Sequence, residues 1–225
     1  ALKWTLEALA LPGHSAKIDA LALPGCGPES PAWVGVNTLT PNRLLQAAWR
    51  AALLPEARGY PNFAREAATG QSRLDALLTG PGLAPLFVEC KNVTLVEDGQ
   101  AQFPDAATER GRKHLAELTR LVQEGARAAL FFLVQRPDGD CFAPAEAIDP
   151  EYAAALGVAL EAGVECWAWR AQITEAGIHL GGRLPLAPIC VLIWNRQQQR
   201  RQEYMPAGGG GGGGGETGGK GSGPG

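Results

Sequence analysis

Residues 72–95, SRLDALLTGPGLAPLFVECKNVTL, decide how this chain folds. Two apolar runs, SRLDALL (72–78) and PLFVECKNVTL (85–95), are joined by Thr79-Gly80-Pro81-Gly82. Glycine and proline between strand-like runs are hairpin chemistry. With the turn centred near Gly82, opposite residue numbers sum to about 164, so Asp75 is expected across from Glu89. The strand period of two then puts Glu89 and Lys91 on one face and Cys90 on the other. Two carboxylates and an ammonium converge there, beside Leu77, Phe87 and Val88. Carboxylates this close repel unless a cation sits between them, and a hard divalent ion such as Mg2+, which takes oxygen ligands, would supply it. The same residues also suit a solvated strand face with a weak ion pair. The spacing nominates a site without establishing one.

Composition bounds the rest. The chain has 225 residues, 45% hydrophobic and 19% charged, a soluble globular profile with room for one core and a small appendage. No apolar run reaches the roughly 18 residues of a membrane span, and no stretch reads as a signal peptide. A cytoplasmic protein without a membrane partner is expected. The chain opens on Ala1-Leu2-Lys3 rather than Met, directly into strand-like sequence, so an N-terminal part is expected to be missing. A net charge of −3 argues against a broadly basic, nucleic-acid-coating surface and leaves room for a local basic patch. The five cysteines (26, 90, 141, 166, 190) form no CxxC pair and are expected as reduced, mostly buried thiols, without zinc. The histidines (14, 114, 179) make no HExxH and none neighbours a nucleophile, so Ser-His-Asp and Cys-His enzymes gain no support. No small-molecule cofactor motif is evident.

At the C-terminal end, Gly208 to Gly215 is an unbroken glycine run, which cannot bury apolar surface and is expected to be disordered. Gly214 and Gly219-Lys220 nearly match a phosphate-binding loop, but Gly221 stands where Ser or Thr is required. NRQQQRRQ (195–202) reads as a solvated basic linker.

Between the ends the element order is readable. A helix starts near Pro41-Asn42, with Leu44, Leu45, Ala48, Trp49 and Ala52 on its apolar face. Strands are expected over 63–69, 72–78 and 85–95. Asp105 is the expected N-cap of a helix ending near Glu124, with Gly125 at C′. On that helix Thr108, Gly111, Leu115, Leu118 and Val122 make a small, apolar face, and Arg110, Lys113, His114 and Glu117 make another. AALFFLV (128–134) reads as a central strand buried on both sides. Asp149-Pro150 supplies N-cap and N1 of a helix closing at Gly163, and VECWAW (164–169) is a further strand. The result is an α/β fold with a mixed central sheet flanked by helices. The acidic hairpin directly precedes the helix carrying Arg110 and Lys113, where donors could neutralise a phosphate. From pattern alone an exposed helix surface is the slightly favoured reading of that basic face.

VGVNTLTPNRL (34–44), GQSRLDALL (70–78), VECKNVTL (88–95), FPDAATERGRKHLAEL (103–118) and IDPEYA (148–153) closely resemble the sugar fermentation stimulation protein A family, over about residues 34 to 186. The C-terminal domain of that family is similar to PD-(D/E)XK nucleases, which implies a restriction-endonuclease-like core. Asp75 would be its first acidic residue, and Glu89 and Lys91 its E-x-K. The resemblance implies three segments: residues 1–33 as a remnant of an oligonucleotide-binding-type barrel and linker, of which WTLEAL (4–9) resembles the last strand; 34–186 as the nuclease-like domain; and 187–225 as an unrelated low-complexity tail. It departs from the family at Gln46 and Ala47, where glutamate is usual.

The resemblance implies that Asp75 and Glu89 ligate Mg2+, together with Glu66 and the Cys90 carbonyl, and that Lys91 orients a water or stabilises developing charge. Arg73, Arg110, Lys113 and His114 would hold the DNA backbone without reading bases. Family members are described as DNA-binding proteins with a role in regulating sugar (maltose) use, so the expected function is DNA binding without sequence specificity. The alternative is a Mg2+-dependent DNA endonuclease acting through Asp75, Glu89 and Lys91. Homo-oligomerisation stays open.

Overall fold

A computed structural model describes residues 8–11, 32–70, 72–174 and 176–187. The expectations for the tail, for Cys26 and Cys190, and for most of residues 1–33 lie outside these residues. The elements are β1 (Ala8–Leu11), β2 (Ala32–Gly35), α1 (Thr40–Arg50), β3 (Asn62–Thr69), β4 (Ser72–Thr79), β5 (Leu86–Val93), β6 (Leu95–Glu97), β7 (Gln100–Phe103), α2 (Glu109–Gln123), β8 (Arg127–Val134), β9 (Cys141–Pro144), α3 (Pro150–Ala162), β10 (Glu165–Thr174) and β11 (Gly177–Arg183).

Six strands form one mixed sheet in the order β11-β10-β8-β5-β4-β3. The expected hairpin is there in the expected register: Ala76 pairs with Val88, Leu77 with Phe87 and Leu78 with Leu86. Gly82, with φ of 70°, sits at the centre of the connection, in a backbone region that glycine reaches at little cost. β5, β8 and β10 run parallel, joined by α2 and α3 as crossovers.

Why AALFFLV forms the centre is plain from its packing. Ala128, Leu130, Phe132 and Val134 face one core, and Ala129, Phe131 and Leu133 face the other; all seven are fully buried. A parallel strand covered on both faces carries apolar residues at every position. The first core is closed by Leu115 and Leu118 of α2 and by Tyr152, Leu156 and Leu160 of α3. The second is closed by Leu45 and Ala48 of α1.

Three expectations need correction. Asp105 does not cap α2; Thr108 does, its Oγ1 accepting the Gly111 N–H at 3.0 Å. The cause is tertiary: the Thr108 N–H is held at 2.8 Å by Asp149, from the start of α3. The stretch 85–95 is not one strand, because β5 ends at Val93 and β6 starts a second, three-stranded sheet, β6-β7-β9. Strand β11 pairs antiparallel with β10 at the far edge, an element absent from the sequence reading.

Candidate metal and phosphate site

The site sits where β4 and β5 part. On β4 the pairing to β3 runs from Arg65↔Ala76 to Ala67↔Leu74 and skips Glu66 and Asp75. Glu66 there has φ of 55°, a left-handed conformation uncommon outside glycine. Leu74 packs in the α2–α3 core and Ala76, two residues on, in the α1 core. β4 therefore changes face at Asp75. The pairing to β5 stops at Ala76, and the Asp75 carboxylate takes over the Cys90 N–H, Oδ2 accepting it at 2.8 Å. Oδ1 accepts from the Nδ2 of Asn42 on α1 at 2.6 Å.

Glu89 and Lys91 project from β5 toward α2. The Lys91 ammonium donates to Glu89 Oε1 at 2.8 Å, with both side chains nearly out of solvent. His114 meets the same oxygen through Nδ1, which stands 3.4 Å from the Lys91 Nζ. Glu89 Oε2 is buried and has no hydrogen-bond partner among the described residues. Lys91 and His114 thus share one Glu89 oxygen and leave the other bare, and Asp75 lies near enough to feel the charges of Glu89 and Lys91.

The electrostatics differ at the two acids. Burial pushes the Asp75 carboxyl above its ordinary value, and the neighbouring Glu89 charge adds to this against the Cys90, Asn42 and Lys91 contributions. Burial raises Glu89 too, but the His114 hydrogen bond and the Lys91 charge outweigh it and hold Glu89 below its ordinary value. Burial, then the charges of Asp75 and Glu89, keeps the Cys90 thiol protonated. Cys90 and Cys141 are free thiols.

Does this donor set fit a divalent cation? A bare buried carboxylate oxygen whose residue acts electrostatically on a second carboxylate is hard-oxygen chemistry. Among the described residues no three His, Cys, Asp or Glu side chains group as a metal site. Two carboxylates alone would leave most of a divalent ion's coordination to water or phosphate oxygen, as Mg2+ commonly keeps it.

The other expected residues fall differently. His114 is 6% exposed, so the expectation of a DNA-backbone contact is corrected: it is an internal part of the site. Position 114 lies three residues after Gly111 and four before Leu118, on the border of the buried face, which is the signal that could have found it. Glu66 and Arg73 are exposed and paired with each other at 3.1 Å, so Glu66 is not drawn into the carboxylate pair. Lys113 is exposed and pairs with Glu109 at 2.7 Å. Arg110, also exposed, lies one turn from His114 on α2 and has no ion pair among the described residues. Asn42 and Tyr152 were missed. The Tyr152 hydroxyl is buried without a hydrogen-bond partner among the described residues, and burial, then the charges of Cys166 and Glu89, holds it well above its ordinary value.

A buried carboxylate ties the two helices beside the site. Asp149 accepts the Thr108 N–H at 2.8 Å and the Tyr152 N–H at 2.8 Å, and Arg112 donates to it at 3.1 Å. The Thr108 bond is the largest of the causes that hold the Asp149 carboxyl below its ordinary value.

Residues 39–177 match the sugar fermentation stimulation protein RE domain. A sugar fermentation stimulation protein homologue of Maridesulfovibrio salexigens is 54% identical over 188 residues, 83% of this chain and 71% of that protein. One of Syntrophobacter fumaroxidans is 51% identical over 81% of this chain, spanning 63% of its own length. The structure of Pyrococcus furiosus SfsA in complex with Ca2+ superposes with a TM-score of 0.65 at 31% identity, covering 73% of this chain and 76% of that one. With the domain matched across most of the described fold and relatives half identical, the chain belongs to the sugar fermentation stimulation protein family.

Proposed function

We propose that this chain binds DNA through the phosphate backbone, without reading base sequence, at the divalent-cation site of Asp75 and Glu89. The observation that carries this is the bare, buried Glu89 Oε2 on the strand whose Cys90 N–H the Asp75 carboxylate accepts, at a fork in the sheet. A relative solved in complex with Ca2+ supports a hard cation there. Asp75 and Glu89 would hold a Mg2+ ion, which when bound supplies charge to neutralise the acids and polarise a phosphoryl oxygen. Lys91 keeps Glu89 ionised and brings an ammonium to the same place. Arg110, exposed one turn along α2, is suited to an adjacent phosphate, with Lys113 beside it once freed from Glu109. Gene regulation linked to sugar (maltose) fermentation, in the cytoplasm, is the role we assign to such binding.

A second reading, Mg2+-dependent endonuclease action, is favoured by one observation: the two acids and the lysine of a metal-assisted phosphodiester site are all present, Lys91 bonded to Glu89 and Asp75 bonded to the Cys90 N–H between them in sequence. Supercoiled plasmid with Mg2+ or Mn2+ separates the two. Binding predicts gel shifts with intact plasmid. Cleavage predicts nicking that Asp75→Ala and Lys91→Ala both abolish. Neither a shift nor nicking, under low salt and with either metal, would sink the proposal.

A further inference from the structure

We propose that His114 is a positioning residue that fixes the Glu89 carboxylate so that Oε2, and not Oε1, is offered to a cation. This rests on reading Asp75 and Glu89 as a divalent-cation site.

The geometry dictates the direction of the hydrogen bond. Glu89 is paired with the Lys91 ammonium, so its Oε1 is an acceptor. An imidazole nitrogen that meets this oxygen must carry hydrogen, since two lone pairs would repel. Nδ1 is therefore protonated, and its 3.4 Å approach to Lys91 Nζ is the meeting of two donors that share one oxygen. Oε1 takes both donors and Oε2 takes none.

Lys91 alone would not produce that asymmetry. An ammonium has three hydrogens on a flexible stem and can swing across to both carboxylate oxygens. A ring N–H comes from one direction. His114 is held by the packing of α2, where Gly111, Leu115 and Leu118 are buried around it. At Gly111 a Cβ would stand 3.0 Å from the Tyr152 ring, so α2 and α3 touch there backbone to ring. The ring thus reports the position of two helices to one oxygen of the site. This is the arrangement by which groups behind a metal ligand set its orientation.

The test uses the full chain and Mn2+ alone as the probe, with binding followed by the loss of the free-ion electron paramagnetic resonance signal. Proteins compared are wild type, His114→Leu, His114→Asn and Asp75→Asn, each with its metal-free melting temperature. Loss of a group in this position costs about 10–100-fold in metal affinity, which is the drop expected for His114→Leu. His114→Asn keeps an N–H where Nδ1 stands and is expected to recover most of it. In the metal-free wild type, nitrogen NMR of the ring is expected to show Nδ1 protonated. Leu and Asn variants that bind Mn2+ like wild type, an Asn variant no better than Leu at equal melting temperature, or a ring bare at Nδ1 would each overturn the proposal. If His114→Leu fails to fold, the Asn variant and the ring tautomer still decide. Wild type that binds no Mn2+ overturns the cation site itself, a result distinct from any of these.

Discussion

At Asp75 the requirements of folding and of ligand binding pull against each other. The residue stands in for a missing sheet partner by accepting the Cys90 N–H, yet burial and the Glu89 charge both oppose its ionisation. Because the folded carboxyl holds its proton more tightly than the unfolded one, stability is lost as pH rises from the ordinary carboxylate range through the raised value. Asp75→Asn removes that loss. Its amide oxygen can still accept from Cys90, and Asn42 can turn its own carboxamide to match. The metal-free variant is expected to melt a few degrees above wild type at pH 7, with the difference vanishing in acid. Adding Mg2+ should reverse the order, raising the melting temperature of wild type only. A variant less stable than wild type at pH 7 would show that Asp75 serves the fold and not a ligand. The hairpin register was legible in the sequence, because turn chemistry and a period of two set it. His114 was not, because a helical face reads as basic or apolar only on average, and this residue lies on the border between the two.

Among the elements, α2 and α3 show how far local rules reach. Asp149-Pro150 and Gly163 open and close α3 where the sequence places them, since cap, N1 and left-handed C-cap (φ of 115°) are all local requirements. The start of α2 is set instead by Asp149, 41 residues away, and nothing near Asp105 records it. The short strands β6, β7 and β9, of three or four residues, are too brief to carry a period. Gly111 tests the helix contact. Helix propensity favours Gly111→Ala by about 1 kcal/mol. The new Cβ, however, would stand 2.7 Å from Thr108 Cγ2 and 3.0 Å from the Tyr152 ring. Thr108 cannot rotate away without losing its cap. Overpacking of this kind costs about 1–3 kcal/mol, so the clash is expected to win and Gly111→Ala to lower the denaturation midpoint in urea. An increase would mean that the two helices separate easily.

Across the whole molecule, a net charge of −3 sets the character of any DNA complex. Long-range attraction is weak, so affinity should come from a few local contacts and depend on salt with a shallow slope. Arg110→Ala is expected to weaken binding to all sequences equally and to reduce the slope of log K against log salt by about one, read by fluorescence anisotropy. A sequence-dependent loss would mean that Arg110 reaches a base edge. The mixed sheet and its two helix-covered faces were legible at this scale because β8 is apolar at every position after Arg127. Its outer strands were harder: β11 carries glycine and exposed polar residues and no alternation. The opposite outer strand, β3, is also mostly exposed, which presents unpaired backbone groups to other chains. Here the bend at Glu66 has a second effect. A strand with a left-handed residue in its middle, and with Arg65 and Glu66 both exposed there, offers a poorer template for a neighbouring molecule to extend. The distortion that frees Asp75 for the site also protects the sheet against aggregation along its edge.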